Sequence, residues 1–390
     1  MQVIMLQRIG HMILVVFIVG KIIPYEAMSK FSCILYVAIN AIVGAVLYIG
    51  IAFKMGIITE VFGKEKVSII IPVYNAGALI NRCLDSIFSQ QGKYEIEVIC
   101  IDDGSTDNSV ELIKSRKEDN IIILQQENAG PAKARNKGMN VARGRYMAYL
   151  DADDYWLPGF IEETISFLDS HRECIAVTVG QKHITTSGTH ILPALINNSD
   201  GKSLVLDDFY SFWSQHNHVC TGSIVIKTDI AKASDGQRED LRICEDLEFW
   251  ALIATFGKLG FIPRMLFVSD GGAIITIYGW KKYIARFKNV PEFNVWFYRL
   301  KNKLTAAQIE TIKPILNDII RGESRAMICG GDFKRSYENL RNHYKGFKEP
   351  YSVKVWKCGR LAYYAYATLW RIYQYYKINK SVLYKKLLLK

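Results

Sequence analysis

Val67-Ser68-Ile69-Ile70-Ile71-Pro72-Val73-Tyr74-Asn75 opens the stretch that decides the fold of this 390-residue chain. It continues to Ile101-Asp102-Asp103-Gly104-Ser105 and closes on Tyr149-Leu150-Asp151-Ala152-Asp153-Asp154. Each run of β-branched and aliphatic residues stops abruptly at Pro, Gly or Asp. Buried parallel strands read this way when their carboxyl ends carry a ligand site. In open α/β sheets the ligand lies in the crevice beyond those ends. One aromatic and several carboxylates therefore converge on one pocket, a set suited to a nucleotide and a divalent metal.

Working outward, the pattern alternates strand and helix. Residues 67–71, 95–102, 121–125 and 146–150 read as strands. Residues 78–89 read as a helix with Leu79, Cys83, Leu84, Ile87 and Phe88 on one face. Further helices are expected after a cap at Thr106 or Asp107, over 132–142, and from Pro158 to about His171. This is half of a doubly wound sheet. From 172 to 280 the signal is more mixed, with strands around 176–179, 223–226 and 259–268 and a helix from Glu245 to Phe256. Beyond Gly279 the chain turns helical, basic and aromatic.

Five blocks in this order resemble glycosyltransferase family 2, the inverting enzymes of the GT-A fold. They are Ile70-Ile71-Pro72-Val73-Tyr74-Asn75, Asp102-Asp103-Gly104-Ser105-Thr106-Asp107, Asn128-Ala129-Gly130-Pro131-Ala132-Lys133-Ala134-Arg135-Asn136, Asp151-Ala152-Asp153-Asp154 and Cys244-Glu245-Asp246-Leu247-Glu248-Phe249-Trp250. The resemblance covers about half the chain. It implies an α/β, mostly parallel, doubly wound sheet over residues 61–280, with 67–154 as the nucleotide-binding half and 155–280 as the acceptor half. Segments 1–60 and 281–390 are then an apolar membrane region and a helical extension.

The residues carry the chemistry as follows. Pro72 ends its strand and turns backbone polar groups toward the ligand, and Tyr74 offers a ring for stacking on a nucleobase. Asp103 sits where a carboxylate can accept from an imide N–H of uracil, the role the resemblance implies. Asp151 and Asp153 alternate along an extended segment and so point the same way. They suit Mg²⁺ or Mn²⁺, which takes its remaining ligands from water and phosphate. The resemblance implies Asp153 as the direct metal ligand and Asp151 as a contact to ribose or a metal water, while Asp154 could share either role. Arg135 adds fixed positive charge near the diphosphate, with Lys133 as a further helper. Asp246 matches the family's catalytic base, and Glu245 orients it or meets the acceptor. Asp240 and Glu239 are fallback carboxylates. His216 and His218, lacking a third ligand, read as structural or acceptor-loop residues.

Composition bounds the rest. Half the residues are hydrophobic, enough for a substantial core. The eight cysteines are scattered without Cys-x-x-Cys spacing, as free thiols in a reducing compartment are. From Lys281 onward there are 24 Lys or Arg against 7 Asp or Glu, a surplus of 17, so residues 1–280 carry the remaining 11 − 17 = −6. No nucleic-acid motif accompanies that charge, and an anionic lipid or lipid-linked substrate suits it better. Residues 31–53 hold no formal charge, and as a helix would reach about 35 Å, enough to span a bilayer. Residues 12–20 form a shorter apolar arm. Lys54, Lys64 and Lys66 favour a cytoplasmic catalytic domain. The expectation is a membrane-associated enzyme moving one sugar from a nucleotide sugar, UDP-linked by preference, to a glycan or lipid-linked glycan. The rivals are a degenerate nucleotide-binding scaffold and a sugar-phosphate nucleotidyltransferase. The latter lacks its Gly-rich basic loop at Val73-Tyr74-Asn75-Ala76-Gly77.

Overall fold

The structure, a computed structural model, describes residues 66–344 except 91, 93, 186–187, 194–200, 242, 271–283, 285–286 and 288–289. It also describes 351–388 and the isolated positions 38, 42 and 44. The expected membrane segments at 12–20 and 31–53 lie outside the described residues apart from those three positions. Among the described residues, no helix is long and apolar enough to cross a membrane.

In chain order, β1 is Lys66–Val73, α1 Ile80–Phe88, β2 Glu95–Asp102, α2 Ser109–Lys114, β3 Ile121–Gln125, α3 Pro131–Val141 and β4 Tyr146–Tyr149. Then come β5 Tyr155–Trp156, α4 Phe160–Ser170, β6 Cys174–Thr185, β7 Gly188–Leu192, β8 Leu204–Val205 and α5 Phe209–His216. They are followed by β9 Ile224–Lys227, α6 Thr228–Ala233, α7 Glu245–Ile253 and β10 Lys258–Ser269. The C-terminal part is helical: α8 Phe293–Phe297, α9 Ala306–Thr311, α10 Lys313–Gly330, α11 Phe333–His343, α12 Tyr351–Lys357 and α13 Arg360–Leu388. These helices belong to the same compact unit as the sheet, Lys66–Lys390.

The sheet runs β3-β2-β1-β4-β9-β6-β10-β5, with β7 paired to β6 and β8 to β10. The first four strands are parallel, as their continuous apolar runs predict. β9 is antiparallel to both neighbours, β4 and β6, and β5, β7 and β8 also pair antiparallel. The sheet is therefore mixed, where a mostly parallel one was expected. A short apolar run marks a buried strand but not its direction, and β9 is too short to show how the chain enters it.

Alternation along β1 builds two cores, one on each face. Val67, Ile69, Ile71 and Val73 pack with Cys83, Leu84 and Ile87 of α1 and Phe160 and Ile165 of α4. Ile70 faces the other way, joining Ile99, Ala134, Met139, Phe249, Trp250 and the C-terminal helices through Trp296 and Ile320. Gly138 lets α3 lie close on β1, since a Cβ there would come within 2.4 Å of the Ile70 side chain. Seven cysteines lie among the described residues, all free. Burial pushes the Cys100 thiol up to about 12, which keeps it protonated and inert.

Candidate active site

Three strand ends meet where the apolar runs stop. After β1, Tyr74 stands 52 % exposed. Asn75 turns at a φ of 52° and is buried. Its Oδ1 accepts from the Thr106 backbone N–H at 2.8 Å, and its own N–H donates to Ser105 Oγ at 3.0 Å. The loop that presents Tyr74 is thus stitched to the loop after β2. The Asp103 carboxylate, nearly fully buried, ties that second loop to the third. It accepts from the N–H groups of Ala129 (2.8 Å) and Gly130 (2.9 Å) and from Gln126 Nε2 (2.8 Å). Gly130 has a φ of 96°, which a side chain would resist, and directly precedes Pro131 at the start of α3.

From that start, α3 carries Arg135 into the interior. Its guanidinium meets Asp151 Oδ1 at 2.7 Å, Glu245 Oε1 at 3.3 Å and Gln237 Oε1 at 3.1 Å. One buried cation therefore joins the Asp-x-Asp turn after β4 to the acidic turn that opens α7. Burial works against its charge, but Asp151 and Glu245 outweigh it and hold Arg135 firmly protonated. Lys133 does not join this group. Two residues along a helix are about 200° apart, so Lys133 faces out while Arg135 faces in.

The turn after β4 is densely acidic. Asp153 is held well above the ordinary carboxylate range by burial, then by Asp151 and Asp270. Arg82 of α1 opposes this, pairing with Asp270 Oδ2 at 2.7 Å and donating to the Asp153 carbonyl. Asp154 is nearly buried and pushed up by burial and by its two acidic neighbours. Its Oδ1 accepts from the Asp270 N–H at 2.8 Å, so it latches this turn to the end of β10. That contact makes it a brace between the two segments. Among the described residues, no three His, Cys, Asp or Glu side chains converge as a complete metal cage. The donor set nonetheless fits a hard cation that brings phosphate and water oxygens of its own, for which one or two carboxylates suffice. A cation there would also relieve the crowding that raises Asp153.

On the acceptor side, Cys244 turns at a φ of 57° and places Glu245 and Asp246 in the first turn of α7. Asp246 is half-buried, with Oδ1 accepting from the Leu247 N–H at 2.9 Å and Oδ2 from the Thr221 hydroxyl at 3.2 Å. Glu245 is pushed up by burial and by Asp246, against the pull of Arg135. The fallback carboxylates face elsewhere. Asp240 pairs with Arg238 at the surface, and Glu239 accepts from Asn136 Nδ2 at 3.0 Å. His218 is fully buried among Phe209, Phe212 and Phe261, and burial lowers it to about 3, so it is structural.

Several residues that shape this site carry no signal in the sequence. Trp296 of α8 donates from Nε1 to the Cys244 carbonyl at 2.8 Å, fixing the left-handed turn that opens α7. Arg299 grips the fully buried Glu248 with both arms and donates to the Gly236 carbonyl at 2.8 Å. Arg82, Thr221, Gln237 and Asp270 likewise act by contacts between segments distant in the chain.

Residues 68–227 match the family model described as Glycosyl transferase family 2. A UDP-Glc:alpha-D-GlcNAc-diphosphoundecaprenol beta-1,3-glucosyltransferase of Escherichia coli, WfaP, is 40 % identical over 109 residues, 28 % of this chain and 43 % of that protein. A putative teichuronic acid biosynthesis glycosyltransferase of Bacillus subtilis, TuaG, is 28 % identical over 255 residues, 64 % of this chain and 90 % of that protein. With the first three curated relatives the chain shares a segment spanning only 29 %, 16 % and 15 % of their lengths. The crystal structure of S. aureus TarS 1-349 in complex with UDP superposes with a TM-score of 0.51 at 20 % identity, over 82 % of this chain and 91 % of that one. At that identity the likeness speaks for the fold alone.

Proposed function

We propose that this chain, whose residues 68–227 match the model of Glycosyl transferase family 2, is a glycosyltransferase that moves one sugar, with inversion, from a UDP-sugar to a hydroxyl of a cell-surface glycan or its lipid-linked precursor. The observation that carries this reading is the Arg135 bridge. It puts a donor-side carboxylate, Asp151, and the acceptor-side Glu245 on one guanidinium, with Asp246 the next residue of the same first turn of α7, so donor and acceptor groups lie side by side. The names of WfaP and TuaG support the substrate classes.

The residues divide the work. Tyr74, the first residue past β1, stacks on the base. Pro72 does not end the strand as the sequence suggested but lies within it, in register with Ile101, next to that end. Asp103 already accepts three donors, which leaves one of its roughly four lone-pair sites for the base N–H. Asp151, oriented by Arg135, meets the ribose. Asp153 would hold Mg²⁺ or Mn²⁺, whose chemistry is to neutralise charge developing on the leaving diphosphate. Asp246 takes the acceptor's proton as the hydroxyl attacks the anomeric carbon opposite the diphosphate. Thr221 and the Leu247 N–H fix the orientation of its carboxylate. Glu245 holds Asp246 in register through Arg135. The apolar segments at 12–20 and 31–53 anchor the chain with this domain on the cytoplasmic side, where nucleotide sugars are found.

The test is a panel of nucleotide sugars presented to the full chain with Mn²⁺ and lipid-linked glycan acceptors, reading released nucleoside diphosphate. Turnover with a UDP-sugar, lost on EDTA treatment and in Asp153→Ala, is the expected result. Activity that survives EDTA would remove the metal from the proposal. UDP binding with no turnover on any acceptor would favour a degenerate scaffold.

A further inference from the structure

The longest helix, α13, carries an outer face of large, exposed apolar residues. Its inner face is anchored. Tyr363 and Ala367 are fully buried, Ile378 is 5 % exposed, and the Tyr363 hydroxyl lies 2.8 Å from that of Ser336 on α11. The opposite side exposes Leu361 (87 %), Leu369 (69 %), Ile372 (59 %), Tyr373 (58 %), Tyr375 (53 %) and Tyr376 (64 %). At about 100° per residue, all of these but Tyr373 fall within an arc of about 120°. Scattered exposed apolar residues need no explanation, but a continuous stripe of large ones on a single helix does.

Charge says what covers it. Residues 351–390 hold nine Lys or Arg and no Asp or Glu. A second copy of the chain could bury the stripe, but only by bringing together two segments that each hold nine Lys or Arg and no Asp or Glu. An anionic bilayer surface accepts both features at once. Tyr and Trp side chains settle at the headgroup level, and basic residues near the surface each favour binding by about fivefold. The helix cannot instead insert across the bilayer, because it lacks the apolar length.

We propose that α13 docks its Leu361–Tyr376 face flat on an anionic membrane surface. This anchors the C-terminal bundle, and with it Trp296 and Arg299, at the bilayer plane. The proposal does not depend on the transfer reaction assigned above.

A labelled cysteine tests it in the full chain, because the readout reports which face meets lipid whatever else binds. In a Cys358→Ser background, Ile372→Cys carries an environment-sensitive fluorophore, with Tyr373→Cys as a second position and Asp207→Cys as the control. The protein is reconstituted in phosphatidylcholine vesicles with and without phosphatidylglycerol. The expected result is a blue shift with quenching by headgroup-proximal spin-labelled lipid at 372 and 373. It should require phosphatidylglycerol, weaken in high salt and be absent at 207. A water-like spectrum at 372 in anionic vesicles would overturn the proposal. So would equal quenching without anionic lipid, or a blue shift that needs only higher protein concentration and no lipid.

Discussion

Replacing Arg299 by Met would leave the Glu248 carboxylate, fully buried on α7, without its two-armed partner. The Nε arm alone lies 2.8 Å from Oε1. Breaking a buried pair by removing one partner typically costs about 3–5 kcal/mol, since the remaining charge is uncompensated. Arg299 also donates to the Gly236 carbonyl at 2.8 Å, and losing that bond adds about 1 kcal/mol. Arg299→Met should therefore lower stability by about 5 kcal/mol, or roughly 10 °C in Tm for a unit of this size. Removing both charges in Glu248→Leu/Arg299→Met should restore most of it, because the desolvation penalty then disappears from both partners. Urea unfolding followed by the buried Trp250 and Trp296 reads both variants. A loss below about 1 kcal/mol for the single variant would put the pair in the class of surface ion pairs and refute the argument. Glu248 lies one turn beyond Glu245, so the folded fraction of Arg299→Met should also transfer sugar more slowly while binding donor normally.

Two further outcomes are expected. Asp246→Asn keeps the size of the side chain, with one oxygen for the Leu247 N–H and an amide that can donate to the Thr221 hydroxyl, but cannot take a proton. Transfer should therefore fall by about 10²–10⁴ while UDP-sugar affinity by calorimetry stays within a few-fold. A near-normal rate would move the base elsewhere, with Glu245 tested next because Asp240 and Glu239 face the surface. Glu323, buried in α10 with Oε1 unpartnered, is raised by burial from 4.5 to about 8. The folded state thus holds a proton that the unfolded state releases, so its stabilising contribution is full below about pH 4.5 and fades as pH rises through about 8. Glu323→Gln should remove that slope and gain on the order of a few kcal/mol at pH 8 relative to wild type. Parallel pH–stability curves for the two proteins would show that Glu323 is ionised when folded.

What the sequence made legible follows its periodicity. β1 to β4 were readable because each is rich in apolar residues and, for β1, β2 and β4, Pro, Gly or Asp stands at or just past the end of the run. β5, with two residues, and β7 carry too little pattern to be seen, and β6 was read only around 176–179. The direction of β9 depends on the path of its connections and not on its composition. At the site, residue type and spacing pointed to Asp151, Arg135 and Glu245, yet not to the bridge that joins them. That Lys133 faces away from Arg135 is equally hidden, because a motif is linear while a helix separates neighbours two apart. The contact that braces Asp154, the Asp270 N–H, lies 116 residues away and leaves no mark on the motif. Trp296 and Arg299 were invisible for the same reason, each meeting a partner more than 50 residues distant.

The charge balance of the assembled site makes a demand of its own. Asp151, Asp153, Asp154, Asp270, Glu245 and Asp246 crowd together, and Arg82 and Arg135 are the cations their mutual electrostatics report. Two positive charges do not offset six acids, and an incoming diphosphate adds more negative charge. The site can respond by taking up protons, as the raised Asp153, Asp154 and Glu245 indicate, or by taking up a cation together with the donor. The second response supplies charge where the leaving group needs it, while protonation would only silence the carboxylates. A cation held at Asp153, as proposed above, would compete with protons for the same oxygens, so affinity for a divalent cation should strengthen as pH rises. Arg135 would keep that competition on the donor side: it holds Asp151 and Glu245 on one guanidinium, while the Asp246 carboxylate is held separately by Thr221 and the Leu247 N–H.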